Sequence, residues 1–502
     1  MRAQAQVRPG EADARPAQRR ARPGQLIRRH WLAIVLLAAG LVLRVLTALA
    51  YRPALFFTDT VRYLYNAEGM DPVGYKGPLR AILLAGNFNA VAAAAHLLGL
   101  AMAVVIYLLL LRRGAPRWLA ALAMAPVLLD AYQLQSEQTI LPGTWFQALI
   151  VAGLAILLWR QEPPTWRRAA AAGAVLGTSA LFAQIGEALL VPALIFVIVA
   201  GLKWRQALTG AAALAVAFAV PILAYCTGSY LMTGDFFLSH TGATSFYGRT
   251  AAAAGCATLR LPAAERGLCP SPAKQARGPD WLEYGAGSPV RSYYADLPRG
   301  QTDSLITDFS RRVVAQQPAR VLGAYGRDLL KLYEPVRTGS PSDTPISRWQ
   351  FQLAYPYYQH ATPAVVATAT SRYGGGAPAV WRPVAGFLRG YQLGGGYTPG
   401  PLLALFTLAG LAGSAVTVLA RGDDPPRPPR RGMPRRGKEP TRKLAEACLL
   451  FFLSAASLLL VSDLFEFSWR YQLPALVTLV PAGALGLSVL LRLPGSRADP
   501  AG

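Results

Sequence analysis

A helix needs roughly twenty apolar residues to cross a hydrocarbon layer about 30 Å thick, and ten stretches of this chain approach that length: 31–50, 88–111, 118–135, 141–159, 169–184, 188–202, 206–229, 399–420, 444–463 and 471–491. Lipid offers the backbone no hydrogen-bond partner, so a segment immersed in it must satisfy its own N–H and C=O groups, which a helix does. The pattern predicts an all-α polytopic membrane protein of about ten transmembrane helices. The fifth and sixth stretches are short and separated only by Gln184, Ile185, Gly186 and Glu187, so they form either two spans or one bent or re-entrant unit. With 53% hydrophobic and 15% charged residues and four cysteines in 502 residues, the chain is neither a disordered polymer nor a disulfide-dense secreted scaffold.

The net charge of +24 would suggest a nucleic-acid partner if the Lys and Arg gathered on one soluble surface. They sit instead at alternate ends of the apolar stretches, and no nucleic acid is expected. Short cytoplasmic loops retain positive charge, and Arg19, Arg20, Arg22, Arg28 and Arg29 precede the first stretch; Arg112, Arg113 and Arg117 follow the second; Arg160, Arg167 and Arg168 follow the fourth; Lys203 and Arg205 follow the sixth. The basic, proline-rich loop 421–443 and Arg492 and Arg497 fall on the same side. The expected organisation is a cytoplasmic tail 1–30, an N-terminal membrane module 31–232 with a first exterior loop 51–87, an exterior segment 233–398, a C-terminal module 399–491 containing the cytoplasmic loop, and a cytoplasmic tail 492–502. Ala48, Leu49 and Ala50 mimic a signal-peptide cleavage site. The run before them is nevertheless long enough to span, carries Arg44 and is flanked by Trp31 and Tyr51 as interfacial anchors, so it is read as a retained helix.

The exterior segment is rich in Gly, Pro and aromatics and reads as a mixed, partly membrane-draped domain. Thr302 or Asp303 is placed to cap a helix through Leu305, Ile306, Phe309, Val313 and Val314, and Pro318 suits the first turn of another reaching Leu332. Cys256 and Cys269 both lie in this segment, where thiols can oxidise, and a bridge between them is expected; Cys226 and Cys448 lie within spans and read as packing residues. Trp349, Phe351, Tyr355, Tyr357 and Tyr358 form an aromatic group suited to a sugar, to an interfacial belt or to an exterior core. His30, His96, His240 and His360 show no ligand spacing and there is no Cys-x-x-Cys pair, so no metal site is expected. Walker A and dinucleotide fingerprints are absent, which disfavours an ATP-driven pump and a nucleotide-sugar enzyme.

Chemistry is therefore sought on the exterior side. Directly after the first stretch comes Phe56-Phe57-Thr58-Asp59-Thr60-Val61-Arg62-Tyr63-Leu64-Tyr65, then Gly74-Tyr75-Lys76-Gly77-Pro78-Leu79. Asp59 is thereby placed at the membrane surface, at the start of a short interfacial helix with Val61, Tyr65 and Ala67 or Leu64 towards lipid. Gly77 and Pro78 are expected to break the chain before a second short helix at 79–86. Tyr63 and Tyr75 flank this site, and Glu137, Glu187, Glu466, Arg470 and Tyr471 fall at the same level at the ends of other spans. Ionisable groups cost about 2.5–3.5 kcal/mol at a helix centre and less at the interface, so their recurrence suggests a polar vestibule. The plainer readings stay open: Asp59 as a helix cap, and the others as a structural ion-pair network.

Several of these patterns occur in the order found in polytopic glycosyltransferases of the GT-C fold, and the chain resembles that family over roughly residues 25–490, particularly protein O-mannosyltransferases and the lipid A aminoarabinose transferase. Asp59 occupies the place of the family's catalytic Asp, and Lys76-Gly77-Pro78-Leu79 resembles its Lys-Pro-Pro-Leu. Gly173 to Pro192 resembles its fifth and sixth spans, Pro221 to Phe236 the close of its seventh, Gln317 to Leu322 the start of its exterior helix, and Arg470, Tyr471 and Pro474 its late Arg-Tyr-x-x-Pro. The resemblance implies transfer of a sugar from a polyprenyl-phosphate donor to a cell-envelope acceptor (glycan, lipid or protein) on the outer face, with inversion. Asp59 would be the base, Lys76 and Arg470 would bind the donor phosphate, and Tyr63, Tyr75, Glu137, Glu187, Glu466 and Tyr471 would line the vestibule. Thr60 stands where the family often has Glu, Gln184 or Ile185 where it has Arg, and Gly77 where it has Pro. With no second adjacent acid a divalent ion is possible but not predicted, and the cofactor is left unknown. A lipid or polysaccharide transporter, or a non-catalytic envelope scaffold on the same fold, are the competing readings.

Overall fold

A computed structural model describes residues 23–65, 72–201, 203–419 and 438–493. The tail 1–22, residues 66–71 with Ala67, the loop 420–437 and the residues beyond 493 lie outside the described residues. The architecture is helical, with one two-stranded pairing of Tyr51–Arg52 against Ala379–Val380. Among the described residues each of the ten apolar stretches forms helix, but five helices have the length and apolarity to cross a membrane: Ile27–Ala50, Phe88–Arg113, Trp204–Thr233, Gly400–Thr417 and Pro440–Phe465. Arg117–Leu129, Gly143–Leu158, Gln184–Ala200 and Pro474–Leu490 are apolar but shorter. The chain is thus a multi-pass membrane protein by its long helices, with several half-length elements among them.

The shortening has local causes. The third stretch stops at Leu129 because Asp130 leaves helical geometry (ψ 118°) and its side chain accepts from the Tyr132 amide, capping a separate helix Ala131–Gln138. Asp130 is held there by Arg337 at 2.8 Å and by the Thr398 amide at 2.8 Å, so it serves the exterior segment rather than continuing the span. The fifth stretch forms Trp166–Ser179, and the chain turns before a 3₁₀ segment Gln184–Leu189 leads into Leu190–Ala200. Trp166–Ser179 lies along Trp204–Thr233, while Gly400–Leu419, Lys438–Phe465 and Pro474–Leu490 pack on one another. Contacts of Lys438–Phe465 with Leu190–Ala200, and of Pro474–Leu490 with Arg117–Leu129, join the two modules. Their buried side chains merge into one core.

The segment 233–398, expected on the exterior side, contains a second core. Tyr247, Leu268, Leu282, Val290, Ile306, Phe309 and Val313 cluster between Gly242–Ala253, Gly278–Tyr284, Pro289–Asp296 and Arg299–Gln316. Cys256 and Cys269 are bonded, with Cα atoms 5.9 Å apart, across the loop beside this cluster; Cys226 and Cys448 are free and buried. The helix carrying the 305–314 pattern starts at Arg299, after Pro298, and not at Thr302 or Asp303. Thr302 is buried in the helix and donates back to Tyr293 and Pro298 carbonyls. Pro318 opens Pro318–Lys331 from its first turn. Residues 346–393 return to the membrane end of the first helix, where Phe351, Ala385 and Leu388 bury against Ala50, Tyr51, Leu55 and Leu134.

Candidate functional site

The start of the loop 51–87 is tied to its neighbours at several points. Leu55 donates to the Gln138 carbonyl and accepts from the Ile140 amide, both at 2.9 Å. Thr60 then locks the turn that carries Asp59: its Oγ1 accepts from the Phe57 amide at 2.9 Å and donates to the Ile140 carbonyl at 3.0 Å. A buried hydroxyl committed to two partners explains Thr60 at this position. Phe57 packs on Trp349 and Tyr358 with ring centroids 4.8 and 4.9 Å apart, and Tyr355 donates to the Ala54 carbonyl at 2.7 Å. The aromatic group of the exterior segment is thus mainly the roof of this loop. Trp349 and Phe351 are buried, whereas Tyr357 is exposed.

Asp59 precedes the short helix Thr60–Leu64 without capping it, since its side chain makes no hydrogen bond to the helix amides. The carboxylate instead accepts from Arg470 Nη1 at 3.0 Å, with Arg62 3.7 Å from its other oxygen. The pair is not sealed: the Asp59 side chain keeps 18% of its exposure and that of Arg470 14%. Arg470 lies in the turn between Lys438–Phe465 and Pro474–Leu490, where Trp469 anchors the backbone by donating to the Thr338 carbonyl at 2.7 Å. Its guanidinium sits 5.4 Å from the Trp349 ring centre, 5.5 Å from Tyr471 and 5.9 Å from Phe57. Burial alone would favour losing its proton, but Tyr471, Asp59 and Tyr63 overrule this and hold it more firmly cationic than an ordinary arginine. Among the described residues its one hydrogen bond goes to Asp59, leaving most of a five-donor fork for an anion.

Further acids surround this pair. Glu466 is pushed well above the usual carboxylate range by burial and by the neighbouring Asp280 and Glu283, against the opposing pull of a hydrogen bond from Tyr471 and of Arg249. Its Oε2 is buried with no hydrogen-bond partner among the described residues, so nothing on that oxygen offsets the loss of water that ionisation would require. Asp280 is likewise raised, by burial and by Asp59, despite Arg348 at 3.7 Å. Asp280 and Arg348 carry no motif; an acid in the first turn of Gly278–Tyr284 reads as a cap, and nothing in the sequence ties it to Asp59. Glu283 also lines a cavity of about 260 Å³ together with His240, Thr244, Arg291, Tyr294 and Arg299. Arg249 ties the exterior helices to the membrane module, donating to the Asp463 carbonyl at 2.9 Å and pairing with Asp328 at 2.6 Å.

The remaining candidates divide. Tyr63 stacks edge-on against Tyr75 at 5.3 Å, and Tyr75 lies 6.4 Å from Trp145; both tyrosines are buried beside the Asp59 turn. Lys76 opens the helix Lys76–Ala85, which runs through Gly77 and Pro78 instead of breaking there. Proline in a first turn forfeits an amide that has no intrahelical partner anyway. Lys76 makes no ion pair among the described residues, and burial, with Arg80 beside it, lowers its proton affinity. Leu64, expected towards lipid, is buried in the core, because Thr60–Leu64 packs on Lys76–Ala85 and is covered by the exterior segment. Glu187 sits on an exposed face of the 3₁₀ turn, with no ion pair among the described residues. Glu137 is fully enclosed, bound to Arg44 at 2.8 Å and to His96 at 2.9 Å. A Cβ at Gly99 would collide with Glu137 Oε1 and Arg44 Nη2, so the fold has left this knot no spare room. No group of three or more His, Cys, Asp or Glu among the described residues is placed to hold a metal. In comparisons with known proteins, the chain matches no family model, no curated protein and no solved structure.

Proposed function

We propose that the chain is a membrane glycosyltransferase that moves a sugar from a polyprenyl-phosphate donor to a cell-envelope acceptor at the outer face of a bacterial plasma membrane, with both termini cytoplasmic. The observation that supports this best is the Asp59–Arg470 pair at 3.0 Å. A carboxylate free of capping duty meets a cation that makes no other side-chain hydrogen bond among the described residues, both partly exposed, just past the end of the first helix. In the proposed reaction Asp59 accepts the proton of an acceptor hydroxyl whose oxygen attacks the anomeric carbon. The bond from that carbon to the phosphate oxygen breaks, and the phosphate leaves with the electron pair. Charge grows on the leaving phosphate in the transition state, so a cation that binds it more tightly there lowers the barrier. Arg470 and Lys76 take that role. Arg470 also orients the Asp59 carboxylate before the acceptor arrives, while Tyr63, Tyr75 and Tyr471 wall the space.

The purified chain in detergent, supplied with polyprenyl-phospho-sugars and envelope acceptors, tests the reading. Turnover that falls by about 10²–10⁴-fold in Asp59→Asn, the range of general-base catalysis, supports it. Transfer that survives Asp59→Asn removes Asp59 as the base. Lipid movement across vesicles without any acceptor would favour a transporter instead.

A further inference from the structure

At the opposite end of the first helix the chain departs from regular geometry. His30 has φ −119° and ψ 17°, so the helix Pro23–Ala50 is two helical pieces meeting at a kink. The kink is fastened by His30 Nδ1 and Tyr107 Oη at 2.6 Å, with the two rings edge to face at 5.9 Å. The bend carries Arg28 and Arg29 over a cavity of about 800 Å³ whose far wall is the turn from Leu111 to Trp118 and Ala121. From His30 to Ala50 the helix rises about 30 Å at 1.5 Å per residue, so this cavity and Asp59 lie at opposite membrane ends.

We propose that this cavity holds the phosphate headgroup of an anionic lipid. Arg28, Arg29 and Arg117 all line it, and among the described residues no acidic side chain does and none of the three arginines makes an ion pair. Three exposed guanidiniums gathered around one concavity with no acid among the described lining residues suit a phosphate, which accepts their forked donors. The rest of the lining selects a lipid over a free phosphate. Trp31 and Trp118, 59% and 52% exposed, stand at the rim where indoles settle at the headgroup level of a bilayer, and Leu32, Leu111 and Ala121 supply an apolar floor for the first methylenes of an acyl chain. The volume lies in the ordinary range for a small-molecule site, ~300–1,000 Å³. The proposal depends on the membrane reading of the long helices and is independent of the transferase reading, because every residue in it sits at the other end of the first helix from Asp59.

Native mass spectrometry of the full chain in detergent, titrated with phosphatidylglycerol or phosphatidylcholine, tests it directly. Phosphatidylglycerol is expected to be retained on the order of tenfold or more over phosphatidylcholine, since each basic side chain near the headgroups adds to the attraction. That preference is expected to vanish in Arg28→Gln/Arg29→Gln/Arg117→Gln. Equal retention of the two lipids, or a preference that survives in the triple variant, overturns the proposal. Displacement of phosphatidylglycerol by millimolar inorganic phosphate assigns the site to free phosphate and overturns the lipid assignment. Should the triple variant fail to fold, fluorescence decides: quenching by brominated phosphatidylglycerol above that by brominated phosphatidylcholine, lost in Trp31→Phe/Trp118→Phe, supports the site, and headgroup-independent quenching rejects it.

Discussion

Asp59 and Glu137 are both carboxylates bound to an arginine at about one hydrogen-bond length, 3.0 and 2.8 Å, yet their surroundings differ in kind. Glu137 is 0% exposed. Its oxygens are shared among Arg44, His96 and Gln133, and the same arginine also donates to the Gly40, Val127 and Leu128 carbonyls. This knot pins Ile27–Ala50 to Arg117–Leu129 and Phe88–Arg113. Asp59 keeps some exposure and pairs with an arginine whose other donors find no hydrogen-bond partner among the described residues. An ion pair that is fully enclosed, with both carboxylate oxygens engaged, holds helices together; one with open valences at a surface can also bind and react.

The sharpest way to break that comparison is to remove each charge and read activity and stability separately. Asp59→Asn is expected to cost about 10²–10⁴-fold in turnover with little change in the unfolding midpoint. Glu137→Gln is expected to destabilise by ~3–5 kcal/mol, because Arg44 is left buried and unpaired, while the surviving folded molecules turn over normally. Matching loss profiles for the two variants in an activity assay and a denaturant titration would erase the distinction. Arg470→Lys keeps the charge but not the fork, so a fall in kcat exceeding the rise in donor KM is expected, because the contact tightens in the transition state. An unchanged kcat would take the leaving phosphate out of Arg470's hands.

Smaller effects probe the surroundings. Cys256→Ser/Cys269→Ser is expected to lower stability by about 3 kcal/mol through the released loop, read as a lower midpoint of the exterior helices with the membrane core unaffected. For Glu466 the sign follows from its raised proton affinity. The folded chain binds a proton there that the unfolded chain has lost, so stability falls as pH rises through the window above the ordinary value of 4.5. Glu466→Gln should therefore be more stable than the parent at neutral pH, with the gain shrinking towards zero as pH drops to 4.5. A gain that is constant with pH would mean Glu466 is ionised in the folded chain.

The helical character of all ten apolar stretches was legible because hydropathy over fifteen to twenty residues outweighs local propensity. Their lengths were not. Asp130 ends one stretch for the sake of Arg337, 207 residues away, and no local pattern announces a partner at that separation. The same limit governs the site. Asp59 stood out by position, and Arg470 stood out by position, but their contact spans 411 residues. Asp280, Arg348 and Glu283 gave no signal at all, being ordinary charges in a Gly- and Pro-rich segment. Glu137 and Glu466 looked equivalent as acids at helix ends, and only packing separates a saturated carboxylate from one whose Oε2 is left alone.

The short pairing of Tyr51–Arg52 with Ala379–Val380, reinforced by Tyr51 donating to the Gln352 carbonyl 301 residues later, has a bearing on biosynthesis. When the first helix leaves the translocon, the groups that seal its exit end have not yet been made by the ribosome. The nascent chain must carry that raw edge, with the Asp59 loop beside it, until most of the protein has been translated, so a ribosome stalled before residue 352 would leave behind an inserted but unfinished fragment.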